Sequence, residues 1–444
     1  MNSSETAFCH GSSPPLFTVA LAFVIALHSQ TVQGEPISVT DCVRLALARA
    51  PATRAAGFEI DAATARVRAA QAAYAPRLLA EGQYGRSQGF DETVTNGGVT
   101  STLMTIEATL LDGGLRDAQF AAARARLQSA SAIAQQRRAD VALAVRTAYF
   151  TALAARTESG VHGENIRTLR EYVGLLQRQE TLGLTPHNDV LRAQLAVETA
   201  STAERAADAQ LASARSELTL LTGVDVTPDV LVEPVAMAPP QATEALIDAS
   251  PVLADARAAA EAARRDADAA RSEWRGHLTL TASGGALGVQ PGPTFHDNGG
   301  GQFLFGFTVP LYDGGGISAR VAAVVAEART AEVNVEQSRQ TIQVALAHAG
   351  AEAARAQGDL TAWQRAIPQA QEDFQLMRAR YLGGGNVRLL EVLDALNQYV
   401  DARLHVPQAL LTYRVAVATE EQILGEVPSG QVPSGQIPPG EVPR

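Results

Sequence analysis

Few residues in this 444-residue chain could do chemistry, and most are disqualified by what surrounds them. The glycine clusters at Gly113, Gly314 and Gly383 could suggest phosphate loops. None has the pattern GxxxxGK followed by Ser or Thr, and there is no lysine at all, the 36 basic residues being arginine. They read instead as helix ends or openings of sharp turns. The eight histidines are scattered and form no His-Glu-x-x-His, so metal binding is not expected. No nucleophile and base arrangement stands out, so neither an enzyme nor a cofactor is expected. What remains are carboxylates at helix starts: Asp189 beside Asn188, and Glu391 and Asp394 in Glu391-Val392-Leu393-Asp394. A helix dipole favours acids there in any protein, and Asp189 reads equally as an N-cap companion to Asn188.

Composition narrows the architecture that must carry these acids. A net charge of −11 disfavours nucleic acid, whose phosphates need a basic face. Only 5% of residues are aromatic, and the heavy alanine load points to long helices rather than several separate cores. The apolar run Leu16 to Leu27 is too short for a spanning helix but suits a secretory leader, so residues 1–34 read as a signal peptide cleaved after Gly34. Cys9 would leave with it, and Cys42 alone can form neither an internal disulfide nor a zinc cluster. No cysteine follows the apolar run, which predicts an exported chain without a lipid anchor.

The rest of the chain reads as one unit written twice. Ala50-Pro51, Tyr74, Leu78 and Gly85 are matched by Ser250-Pro251, Trp274, Leu278 and Gly285. Further on, Leu111-Asp112-Gly113-Gly114 is answered by Tyr312-Asp313-Gly314-Gly315, and Gly183 with Asp189-Val190-Leu191 by Gly385 with Glu391-Val392-Leu393. So long a period excludes a solenoid and indicates a duplication. The expected division is a first repeat over 35–223, a proline-rich linker at mid-height over 224–243, a second repeat over 244–425 and a disordered tail over 426–444.

Within each repeat the hydrophobic period changes. Asp41 to Ala73 is helical, with Thr40 or Asp41 as N-cap and Pro76 after its end. From Leu78 to Ser87 and from Thr100 to Leu111 the period is two, with a hairpin loop between. The second repeat does the same at Leu278 to Gly284 and at Phe303 to Val309. Strands of about ten residues suit a tilted membrane strand. Four strands cannot close a barrel, whereas three copies would give twelve, an even number in the range of outer-membrane barrels. Helical patterns of roughly 60 residues, Asp117 to Glu180 and Ile317 to Arg380, are about 90 Å long, and half-length returns end at Gly223 and Gly425. Such helices need lateral packing, so a ring of coiled-coil pairs is expected, with kinks at Pro368 and Pro407.

In the order and duplication of these motifs the chain resembles the TolC-like outer-membrane efflux proteins over nearly its whole mature length. The resemblance implies a mainly α fold with membrane β: a long helical coiled-coil barrel plus four strands per chain, completing a trimeric twelve-stranded barrel in outer-membrane lipid. It implies a homotrimer that takes an exported protein or small molecule from an inner-membrane ABC or proton-driven exporter through a periplasmic adaptor. The missing lipid-attachment cysteine leans toward protein-secreting or multipurpose members. By the same resemblance Glu391 and Asp394 form an acidic ring at the periplasmic entrance. Asp189, Tyr381 and Arg388 would form a clamp between neighbouring helices, and Gly183, Leu184, Gly384 and Gly385 the turns on which the adaptor docks. Tyr381 and Arg388 each align one residue away from the family's clamp positions. A periplasmic adaptor or a coiled-coil adhesin would share the long helices, but not two membrane hairpins and a full duplication.

Overall fold

The structure is a computed structural model that describes residues 37–86, 98–225, 231–233, 237–240, 243–288, 299–384 and 387–427. The expected signal peptide, both hairpin loop tips, Gly385 and nearly all of the tail lie outside the described residues.

The chain enters through α1 (Val39–Arg49) and α2 (Pro51–Ala72). The single helix expected from Asp41 is therefore two, because Ala50 is extended at ψ 128° and Pro51 restarts the helix at a position where its missing N–H costs nothing. The N-cap is Ser38, not Thr40 or Asp41. Ser38 Oγ accepts from Asp41 N at 3.2 Å, and Asp41 answers at N3 to complete a capping box.

Strands β1 (Arg77–Arg86) and β2 (Gly98–Leu111) form the first hairpin, β3 (His277–Gly288) and β4 (Gly299–Thr308) the second. They make one antiparallel sheet in the order β1-β2-β3-β4, with β1 and β4 as open edges. Leu78 pairs with Ile106, Ile106 with Ala282, and Ala282 with Phe303, so the apolar positions of all four strands share one face. Tyr84, Met104, Phe305 and Phe307 stand exposed on that face. The other face carries Arg77, Glu81, Gln83, Thr105, Glu107, Thr279, Thr281, Ser283 and Gln302, as strict alternation requires.

From the sheet the chain passes into α3 (Leu115–Thr181), turns, and returns along it as α4 (His187–Thr222). The second half follows with α5 (Glu244–Ala249), α6 (Pro251–Ser272), the second hairpin, α7 (Gly316–Leu382) and α8 (Leu389–Leu424). Helices α3 and α7 are each 67 residues, about 100 Å. Both are started by the Asp-Gly-Gly motif. Asp112 accepts from Gly114 N (3.1 Å) and Arg116 N (2.9 Å), and Asp313 from Gly315 N and Ile317 N. The glycines between adopt left-handed φ of 63° to 95°. Helices α7 and α8 run unbroken past Pro368 and Pro407.

Helix α2 lies beside the start of α3, where Arg137 meets Glu59 at 3.4 Å, and α4 beside its end, where Ser159 meets Asp208 at 2.6 Å. On its other flank α3 packs against α6 and α8, which also pack against α7. Half-way along, the chain's loose segments are gathered. The Tyr149 hydroxyl lies 2.9 Å from the Ile37 carbonyl and 2.8 Å from that of Val232, and accepts the Val232 N–H at 2.9 Å. Ile37 bridges Leu231, and Tyr413 donates to the Met237 carbonyl at 2.8 Å. Arg146, almost wholly buried, is paired with Glu421 at 2.5 Å, tying α3 to α8 at the same level. Among the described residues no helix is long and apolar enough to cross a membrane.

Candidate functional site at the helical tip

The end of the molecule remote from the sheet is built by two helical hairpins, α3 with α4 and α7 with α8. An apolar seam joins them: Leu169, Tyr172 and Leu176 from α3, Val190 from α4, Phe374 from α7, and Leu389, Val392, Leu393 and Leu396 from α8. Burying 389, 392, 393 and 396 at helical spacing fixes the rotation of α8 about its axis. Glu391 and Asp394 are thereby carried on the opposite side, Glu391 half-exposed and Asp394 exposed. Glu391 lies in the first turn of α8, where the helix dipole favours an acid, and Asp394 lies in the turn that follows.

The three residues expected to form a clamp do not meet as one group. Tyr381, in the last turn of α7, lies within reach of Thr185 and Asp189 of the other hairpin, while the Thr185 hydroxyl itself bonds Gln179 at 3.0 Å. Burial first, and the Asp189 charge after it, raise the phenol's pKa. Arg388 goes elsewhere. It is the N-cap residue of α8, and its guanidinium reaches Glu391 in its own helix at 3.4 Å. One of the two expected gate acids thus carries an exposed basic neighbour. Asp189 is the third residue of α4, whose N-cap is Pro186 and not Asn188.

The turns differ. Gly183 follows α3 at φ 70°, and Leu184 beside it is 73% exposed. After α7 the helix ends at Gly383, and Gly384 takes the left-handed φ of 73°. Leu182, Leu382 and Leu390 are exposed as well, so the tip presents apolar side chains to its surroundings. Sequence reasoning missed the link between His187 Nδ1 and Glu180 Oε1 at 2.6 Å, which closes the first turn from both sides. Its signal was available, since the two residues flank the turn.

A four-stranded sheet with one apolar face, on a sheaf of helices about 100 Å long that ends in an acid-bearing tip, defines a channel-forming protein of the outer membrane. The model of the outer membrane efflux protein family matches residues 42–224 and again 243–426, and the chain belongs to that family. Protein CyaE of Bordetella pertussis is 28% identical over 397 residues, covering 83% of this chain and 80% of CyaE. Among solved structures, a membrane protein from Pseudomonas aeruginosa superposes with TM-score 0.78 at 21% identity, over 87% of this chain and 93% of its own. The open state of the Neisseria gonorrhoeae MtrE outer membrane channel superposes with TM-score 0.77 at 19% identity, over 87% and 89%. The protein is an outer-membrane channel, not an enzyme.

Proposed function

We propose that three copies of this chain form the outer-membrane duct of a tripartite export system, receiving substrate from an inner-membrane pump through a periplasmic adaptor. The observation that carries this reading is the sheet. Its edges β1 and β4 are unpaired, and an unpaired edge cannot lie in lipid because its amides and carbonyls would have no partner. Three sheets joined edge to edge give twelve strands with the phenylalanines outside and the Thr and Glu face inside. The helices then form a tube whose far end is the tip, and the exposed leucines there suit an adaptor.

In this arrangement Glu391 and Asp394 contribute six carboxylates to the entrance, a constriction that concentrates cations. Arg388 offsets part of that field, and Tyr381 with Asp189 ties the two hairpins of one copy. Substrate moves passively, the energy coming from the pump. Of the two cargoes, an exported protein is placed ahead of a small molecule in this reading. A neighbouring gene for an ABC exporter and a large secreted protein would bear that out, and a proton-driven pump would favour efflux. The direct test is in planar bilayers. Glu391→Ala with Asp394→Ala raises single-channel conductance and weakens block by multivalent cations; unchanged block would remove these residues from the gate.

A further inference from the structure

At mid-height, where α8 is flanked by α3 on one side and α7 on the other, a groove of about 630 Å³ runs along α8. Sites for small molecules measure about 300–1,000 Å³. Its floor is Leu411, Val415 and Ile423, and its walls are Thr147 and Thr151 of α3 and His348 and Glu352 of α7. On all three helices this is the side turned away from the linker. Tyr149 holds the linker, and Thr147 and Thr151 stand two residues to either side of it, on the reverse face of α3. On α8, Val417 belongs to the cluster against which Met237 packs, and Val415 and Thr419 stand two residues to either side. On α7, Gly350 faces Glu420, and His348 and Glu352 flank it in the same way. In a duct, the surface thickened by the linker and α1 is the outer one, since three sets of them would crowd the bore. The groove then opens inward.

The apolar floor is not a demand of the fold, because the first half of the chain does without it. An offset of 201 residues carries α3 onto α7, as Asp112 maps to Asp313, and an offset of 202 carries α4 onto α8, as Gly223 maps to Gly425. The counterparts of Thr412, Val415 and Thr419 on α4 are Gln210, Ser213 and Glu217, all polar and exposed. Leu411 is answered by Ala209, and only Ile423 keeps a large apolar counterpart, Leu221. Even the threonines of the groove are turned to apolar use. Thr412 donates to the Gln408 carbonyl at 3.0 Å and Thr419 to that of Val415 at 2.8 Å, so the hydroxyls are spent within the helix and the methyl groups are left for the groove.

We infer that this groove is a binding site for small organic cations with an apolar ring system, the rings lying on Leu411, Val415 and Ile423 and the charge at the Glu352 end. The inward opening rests on the duct reading above; the binding itself does not. Charge decides the sign of the ligand. Arg355 is shared between Glu352 and Asp359, at 3.1 Å and 2.7 Å, so one guanidinium meets two carboxylates and a negative charge is left in excess. The hydrogen bond from Arg355 holds the Glu352 carboxyl below the usual carboxylate range, which keeps it ionised at neutral pH. Among the described residues no arginine lines the groove, and the chain has no lysine, so an anionic ring would find no partner. Glu352 is exposed at the rim, so the floor supplies most of the affinity and the carboxylate selects the charge.

The full-length protein in lipid nanodiscs tests this with ethidium, a flat aromatic monocation, followed by fluorescence anisotropy against protein-free discs. Binding should saturate at one ethidium per chain. Thr412→Trp, which fills the groove, should abolish the saturable part, whereas Gln210→Trp, the same change at the counterpart on α4, should leave it intact. Glu352→Gln should weaken it about two- to fivefold. Should Thr412→Trp not accumulate, Val415→Asn makes the floor polar with little change of volume, and it should weaken ethidium more than Glu352→Gln does. Binding that survives Thr412→Trp and Val415→Asn, or that is lost equally in both tryptophan variants, would overturn the site. The direction of opening is read separately in planar bilayers. Thr412→Cys labelled with a polyethylene-glycol maleimide should lower single-channel conductance. Cys42 stays silent, because burial, and secondarily the Asp41 charge, push its thiol up to about 12. Labelling without a fall in conductance would overturn the inward opening while the binding stands, and a parent protein that forms no pores would remove the duct and not the site.

Discussion

Helices α3 and α7 have equal length and equal place in their halves, yet they are not equally covered. Along α3, Ala118, Ala122, Ala125, Ala132 and Ala139 are buried. Their counterparts on α7, Ala319, Ala323, Ala326, Val333 and Gln340, are exposed. The cause is position: α3 is flanked on both sides by helices of its own chain, α7 on one side only. The comparison teaches that burial within a single chain under-reports the packing this sequence specifies. An apolar residue left bare on α7 marks an interface.

The sharpest way to break that comparison is to place the same charge on both helices. Ala132→Asp buries a carboxylate in the protomer, at a cost of about 3 kcal/mol or more, and should give a chain that is degraded instead of accumulating. Val333→Asp, at a site 62% exposed in the protomer, should leave a folded, protease-resistant chain that fails to trimerise on native gels. If both variants behave alike, the asymmetry between the helices has no meaning for assembly.

A smaller effect sharpens it at mid-height. Tyr149 on α3 corresponds to Gly350 on α7. The tyrosine is wholly buried and its hydroxyl gathers Ile37 and Val232. Burial, more than any neighbouring charge, pushes its pKa up to about 12, so it remains a neutral donor throughout the physiological range. Tyr149→Phe should leave the Val232 N–H without its acceptor and cost about 1–3 kcal/mol, read as a lower unfolding midpoint.

Where α3 has that ring, α7 has the space over Gly350, and the Glu420 carboxylate occupies it, 3.1 Å from the position of a Cβ. Burial raises the pKa of Glu420, and the adjacent Glu421 charge adds to this, although Glu421 is itself paired with Arg146. The folded state holds this proton more tightly than the unfolded state. Its contribution to stability is full below the ordinary carboxylate pKa and is lost as pH rises through the raised one. Glu420→Gln should therefore raise the melting temperature at neutral pH, with the gain shrinking toward pH 4. A gain that stays constant with pH would mean that the carboxylate is not desolvated.

Much of this was legible because the chain uses few local devices and uses them twice. The change of period from 3.6 to 2 at Leu78 and Leu278 marks the strands, and Asp-Gly-Gly marks the start of each long helix, since only glycines take its left-handed angles cheaply. The break at Ala50 lies in an otherwise uninterrupted alanine pattern, and Ala50-Pro51, matched by Ser250-Pro251, signals it as a helix start. At the tip, Glu391 and Asp394 could be placed from the helix start alone. The partner of Arg388 followed from i to i+3 spacing, which a search for contacts between hairpins passes over. The ties at Tyr149 and Arg146 were invisible, because they join segments 83 to 275 residues apart by packing and have no local pattern.

The half-length helices have a geometric consequence. Because α2 and α4 share the length of α3, and α6 and α8 that of α7, a horizontal slice taken away from the equator cuts four rods per chain at nearly any level. The wall therefore keeps one girth from the bilayer to the entrance. Any narrowing at the entrance must come from leaning the rods inward, since none can be subtracted.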